Sequence, residues 1–140
     1  MDDQNNLQLI QQLFSHYAKG NIPAFLSMFS PDAVWVEPGN PEDIPYAGSF
    51  AGIQEISKLL SILAQSLHIK SFVPNLFLAN GHDVAVFGDN EATVISTGKT
   101  YSTKWVYLFT VQDQLVTHLQ VYMDTLIIAK AFSQLSAAGK

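Results

Sequence analysis

From Ser71 to Asp124 the chain reads as strand after strand, and this run constrains the fold more than any other feature. SFVPNLFLA is followed by a turn at Asn80-Gly81, then come VAVFG and EATVIST, a turn at Gly98-Lys99, YSTKWVYLFTV, a turn at Gln112-Asp113, and VTHLQVYMD. Strands joined by turns this short make an antiparallel meander. Ahead of the meander the spacing is helical. Leu7, Ile10, Leu13, Phe14 and Tyr17 fall on one helix face, and Gly20 stops that helix. Asn21 and Pro23 start a short helix carrying Phe25, Leu26 and Phe29, and AVWVE follows as the first strand. Residues 38–49, PGNPEDIPYAGS, hold three prolines and two glycines, a loop by composition. The stripe Ile53, Ile56, Leu60, Leu63, Leu67 marks a long amphipathic helix. Ile127, Ile128, Ala131, Phe132 and Leu135 predict a short closing helix, frayed from Ser136 to Lys140. Helices first and a helix-covered sheet after them give the α+β class, expected as a single domain over residues 1–140.

Composition narrows the partners. Hydrophobic residues are 48% of the 140 and charged ones 14%, enough apolar mass for a core without metal or disulfide staples. Nine Phe, five Tyr and two Trp exceed what a small core demands, so part of that surface is expected to line a pocket or a subunit interface. A net charge of −5, without any basic run, argues against a nucleic-acid partner. Cysteine is absent, which excludes thiolate chemistry and fits a reducing compartment. The start, MDDQNN, does not read as a signal peptide, and no apolar run reaches the ~18 residues of a membrane span. The expectation is a cytoplasmic protein with no membrane partner. The four histidines, His16, His68, His82 and His118, show no metal-ligand spacing, and neither a Gly-rich phosphate loop nor a Gly-x-Ser-x-Gly elbow occurs. No cofactor and no metal are therefore expected.

Alternation along the strands picks out the candidate residues. In VTHLQVYMD one face is Leu119, Val121 and Met123; the other is His118, Gln120, Tyr122 and Asp124. That polar row either faces water, where it carries no function, or faces a cavity, where it makes a site. In an apolar cavity the Asp124 pKa would rise and the carboxyl could exchange protons; alternatively Asp124 is the N-cap of the closing helix. His118 lies about 20 Å from Asp124 along an ideal strand, so the two do not touch unless the strand bends. Glu37 shares a face with Trp35, and a carboxylate against an indole in a dry pocket suits a general base; the alternative is a solvent-facing strand end at Pro38-Gly39. Trp105 and Tyr107 alternate with Val106 and Leu108, as in a central strand buried on both faces.

The order of elements, with FSPDAVWVEPGNPEDIPYAGSFAGIQEI and the ending VYMDTLIIAKAF, resembles the SnoaL-like branch of the NTF2-like superfamily. The resemblance covers nearly the whole chain. It implies a cone in which a long helix packs on a strongly curved antiparallel sheet around an apolar cavity. It also implies that the His118, Gln120, Tyr122, Asp124 face looks into that cavity. Asp124 falls where SnoaL-like cyclases carry an acid/base aspartate, and Glu37 where ketosteroid isomerases carry a proton-shuttling one. Leu13 stands around the position of the isomerases' oxyanion-hole tyrosine, with Tyr17 one turn on, and KWVYLF supplies no second acid. Steroid-type isomerisation is therefore not expected.

Two functions follow as expectations. One is an enzyme without cofactor that cyclises, isomerises or hydrates an apolar, polyketide-like or terpenoid-like ligand. Its catalytic residues would be Asp124, His118 and Glu37, and its pocket Tyr17, Trp35, Tyr46, Trp105, Tyr107, Gln120 and Tyr122. The other is a non-catalytic ligand-binding or assembly module. A cavity holding a buried carboxyl favours the first; a cavity filled by Trp35, Trp105 and Phe side chains favours the second. The loop PGNPEDIPYAG is expected to form the pocket mouth, with Tyr46 either on the ligand or packed on a helix. A homodimer is expected through an outer sheet face bearing Val106, Leu108, Leu119 and Val121.

Overall fold

A computed structural model of the protein describes residues 2–134; Leu135 and the expected frayed end lie outside the described residues. Helix α1 (Asp2–Ala18) buries Ile10, Leu13 and Phe14 on its apolar face. It ends at Gly20, and the Asn21 side chain caps the short helix α2 (Ile22–Leu26) by accepting a hydrogen bond from the Ala24 amide at 3.3 Å. Strand β1 (Phe29–Glu37) follows, and after the proline-rich loop comes a four-residue strand, β2 (Gly48–Ala51), paired antiparallel with it. Gly52, at φ 89°, turns the chain into helix α3 (Ile53–Ser66), which packs mainly on β1 and β2 through Ile56 and Leu59. The meander is β3 (Leu67–Asn80), β4 (Asp83–Val94), β5 (Thr100–Gln112) and β6 (Leu115–Met123), closed by helix α4 (Thr125–Phe132).

The six strands form one sheet in the order β2-β1-β6-β5-β4-β3. All pairs are antiparallel except β1 with β6, which run parallel with Trp35 opposite Leu119. Register shifts in the β1–β6, β3–β4 and β5–β6 ladders bend the strands, and the curved sheet closes around its inner face. Among the described residues no helix is long and apolar enough to cross a membrane.

Phe29, expected on the short helix ahead of a strand starting at Ala33, instead opens β1, and three further elements differ from the expectation. The runs VAVFG and EATVIST are one continuous strand, β4, with Ile95, Ser96 and Thr97 in the turn after it. Gly88, at the apparent break, leaves room for the Trp105 ring: a Cβ there would collide with Trp105 Cζ2 and with the Val73 carbonyl oxygen. Trp105 in turn stacks on Phe72 at 4.5 Å. Strand β3 starts at Leu67, directly where α3 ends, so Leu67 closes the helical stripe and opens the sheet. Strand β2 lies at the end of what reads as loop, because pairing with β1 rather than its own pattern makes it a strand.

Candidate functional site

The inner face of the sheet is set by register. Trp35, Leu119, Phe109 and Val84 are cross-strand partners in adjacent ladders, and each is buried. One pleat further along, Val121, Tyr107 and Val86 share that face, as do Met123, Trp105 and Gly88. Residues between them point the other way. His118 is opposite Val34 and Thr110, Gln120 opposite Val36 and Leu108, and Tyr122 opposite Val106, all on the outer face. The polar row of β6 therefore looks out of the cone, and its aliphatic row looks in. The cause is ordinary burial: with one face on the core, Leu119, Val121 and Met123 take the inside.

Asp124 goes out with that row. It is exposed, and its Oδ1 accepts a hydrogen bond from the Ile127 amide at 3.2 Å, the N-cap of α4. Neither Asp124, His118, Gln120 nor Tyr122 lines the inner cavity; Tyr122 is 51% exposed. The expected outer-face residues split in the same way. Val106 and Leu108 are outside, joined by Leu76, Leu78 and Phe87, whereas Leu119 and Val121 are inside.

Between α3, the sheet and the loop after β1 lies a cavity of about 460 Å³. Its polar lining is Glu37, Asn90, Ser57, Ser61 and four tyrosines, Tyr17, Tyr46, Tyr101 and Tyr107; Leu60, Leu63, Phe72 and Met123 are among the apolar lining. A much smaller void of about 20 Å³, walled by Phe14, Phe25, Trp35, Phe109 and Leu119, shares Tyr17, Leu63, Phe72 and Tyr107 with it. Exposed Ser57, Ser61, Ala64 and Ile69 mark the mouth, along α3 and the start of β3. The proline-rich loop makes an inner wall instead of the mouth. Its Ile44 and Tyr46 are buried, and the Tyr46 ring stands edge-on to Phe132 of α4 at 5.8 Å. Tyr46 thus lines the cavity and packs on a helix at once.

Glu37 is the one carboxylate among the described lining residues, and Lys, Arg and His are absent from them. It is 4% exposed and accepts a hydrogen bond from the Trp35 indole, Nε1 to Oε2, at 2.8 Å. Burial pushes its pKa up from the ordinary 4.5 to about 8, and the indole N–H, which favours the charged form, only partly offsets this. At neutral pH the group is mostly the neutral acid. Trp35 itself is fixed by stacking on Phe29 at 5.9 Å and by the edge of Tyr107 at 6.4 Å, so the carboxyl is held by a packed ring. Burial also raises the pKa of Tyr17, Tyr46, Tyr101 and Tyr107, and Glu37 adds to the rise in each. They remain neutral hydroxyl donors. The site can therefore give and accept protons at one carboxyl and hydrogen-bond an oxygen-bearing ligand at several hydroxyls.

Of the expected residues the fold brings together Glu37, Tyr17, Tyr46 and Tyr107 around the cavity, with Trp35 behind Glu37. Trp105 is buried in the stack with Phe72, outside the lining. Asn90, Tyr101, Ser57 and Ser61 line the cavity without having stood out in the sequence. The signal for Tyr101 was present: it shares the odd-numbered face of β5 with Trp105 and Tyr107.

The family model for the SnoaL-like domain matches residues 10–119. The chain belongs to the SnoaL-like family. Its fold is similar to an NTF2-like protein from Burkholderia xenovorans LB400, 31% identical with a TM-score of 0.86 over 95% of this chain and 99% of that one. An NTF2-like protein of unknown function from Burkholderia pseudomallei K96243 is 18% identical, with a TM-score of 0.84 over 92% and 98% of the two chains. TerC, crystallised with polyporic acid, is 25% identical, with a TM-score of 0.82 over 91% and 98%. No curated protein matches the chain by sequence.

Proposed function

We propose that this SnoaL-like protein is an enzyme that binds an apolar, oxygen-bearing small molecule and catalyses cyclisation, isomerisation or hydration by proton transfer at Glu37. The observation that carries the reading is a buried carboxyl, pushed to a pKa of about 8, opening on a cavity of about 460 Å³. The neutral acid donates its proton to a ligand oxygen or carbon. The carboxylate so formed takes a proton from another position of the ligand or from water, which restores the acid. The raised pKa keeps the two forms close in free energy near neutral pH. Tyrosine hydroxyls around the carboxyl stabilise charge developing on the ligand oxygen. TerC, a protein of similar fold that was co-crystallised with polyporic acid, supports a small-molecule role for a cone of this kind.

The test is proton exchange. Neutral, enolisable polycyclic ketones are incubated with the protein in heavy water, and deuterium incorporation is followed by mass spectrometry. Glu37→Gln abolishes incorporation if Glu37 is the proton carrier. Ligands that bind and exchange no faster than in buffer favour the binding-module reading. In the same proposal, two copies pair through the outer sheet face, where Leu76, Leu78 and Phe87 are 49%, 52% and 37% exposed beside Val106 and Leu108.

A further inference from the structure

Glu37 is the last residue of β1, where its backbone stands opposite Gly48 of β2. Its two carboxyl oxygens are unequal. Oε2 accepts the Trp35 indole N–H at 2.8 Å. Trp35 is buried, opposite Phe50 of β2 and Leu119 of β6, with its ring nearly parallel to Phe29 (6° between planes) and tilted against Phe25 at 6.1 Å. A ring packed in this way cannot swing its N–H to the other oxygen. Oε1 has no hydrogen-bond partner among the described residues. It is not sealed either: the side-chain polar atoms both sealed and unpartnered among the described residues are Asn90 Oδ1 and Trp105 Nε1. Since Glu37 lines the cavity, the open surface of Oε1 faces that space.

We infer that Trp35 is a positioning residue: its indole occupies Oε2, so that every proton exchanged between Glu37 and the ligand passes through Oε1. The inference rests on the reading of Glu37 as the proton carrier. In a neutral carboxyl the carbonyl oxygen is the stronger acceptor, and the hydroxyl oxygen carries the one donor. An N–H fixed on Oε2 makes that oxygen the carbonyl and puts the proton on Oε1, at the cavity. When the proton leaves for a ligand oxygen or carbon, the bond from the indole becomes charge-assisted and strengthens, which stabilises the carboxylate as it forms. The returning proton is taken up again at Oε1, because Oε2 keeps the indole throughout. With the carboxyl unable to turn over, the reacting atom of the ligand meets one oxygen in one orientation.

The experiment compares the wild type, Trp35→Phe and Glu37→Gln, with 2-tetralone, an enolisable ketone, as the probe. Infrared difference spectra at about pH 6, below the Glu37 pKa, give the C=O stretch of the neutral carboxyl as the band that Glu37→Gln removes. In Trp35→Phe that band moves to higher frequency, since the carbonyl oxygen has lost its donor. A band that stays in place puts the indole on the hydroxyl oxygen and overturns the inference. Deuterium exchange into saturating 2-tetralone falls at least about tenfold in Trp35→Phe while KM changes little. Exchange lost in Glu37→Gln but unchanged in Trp35→Phe overturns the inference and leaves the proton carrier standing. Exchange unchanged in both, or absent from the wild type, overturns the carrier and the inference with it. A measurement on the wild type guards against a variant that does not fold: the Trp35 indole N–H resonance keeps its hydrogen-bonded position when 2-tetralone is bound. Its movement to the position of a free indole means that the ligand has taken Oε2, and overturns the inference.

Discussion

Strands β1 and β6 lie side by side and parallel, and an aromatic residue and a carboxylate stand at the end of β1 and across the junction of β6 with α4, yet the two ends behave as opposites. At the end of β1, Trp35 and Glu37 point inwards; the indole holds the buried carboxyl at the cavity wall and burial raises its pKa to about 8. At the end of β6, Tyr122 and Asp124 are exposed, and the carboxylate caps the first turn of α4. The residue types are nearly the same. What separates them is which pleat of the strand faces the core, and that is decided by the ladder of partners across the sheet.

Substitutions at the two ends sharpen this contrast. The largest effect belongs to Glu37. Its pKa is raised above the unfolded value, so below about 4.5 both states hold the proton and no cost arises. Between about 4.5 and about 8 the unfolded chain releases the proton while the folded one keeps it, so stability falls as pH rises through this window and levels off above it. The slope is about 1.4 kcal/mol per pH unit at most, several kcal/mol in all. Glu37→Gln removes the slope, which thermal melts of both proteins between pH 4 and 9 check. Trp35→Phe comes next. It deletes the N–H that favours the carboxylate, so the Glu37 pKa rises further, by roughly one unit for a lost hydrogen bond to a charged group. Carboxyl NMR in that variant reads it directly. Asp124→Ala costs about 1 kcal/mol through the lost cap and leaves the Glu37 titration where it was. Denaturant unfolding with parallel NMR tests both halves. An Asp124→Ala variant that moved the Glu37 pKa would break the separation of the two ends. The smallest effect on stability is expected on the outer face. Leu108→Lys leaves the melt nearly unchanged and shifts sedimentation from dimer to monomer; a monomeric wild type at micromolar concentration contradicts the pairing.

Much of the architecture was readable because it rests on local pattern. The turns at Asn80-Gly81 and Gly98-Lys99, the stripe of α3 and the Asp124 cap needed only neighbouring residues. The Trp35–Glu37 pair was readable for the same reason, since residues two apart on a strand share a face. The orientation of β6 was not. Alternation says that His118, Gln120, Tyr122 and Asp124 share a side; only pairing with β1 and β5 says that this side is the outer one. Asn90 was hidden by Gly88, which looks like a strand break and is instead the gap that admits the Trp105 ring. Tyr101 was legible from the face of β5 that it shares with Trp105 and Tyr107, but which residues stand around it in the cavity is set by tertiary packing.

The claim at the centre of this account is that Glu37 is a neutral acid in the folded protein at pH 7. Carboxyl-carbon NMR of protein labelled at glutamate side chains, titrated from pH 4 to 10 with Glu37→Gln for assignment, measures it directly. The account predicts a Glu37 signal titrating near 8. A Glu37 signal titrating near the ordinary 4.5 would contradict it, and would remove both the proton carrier and the reason for the cavity's chemistry.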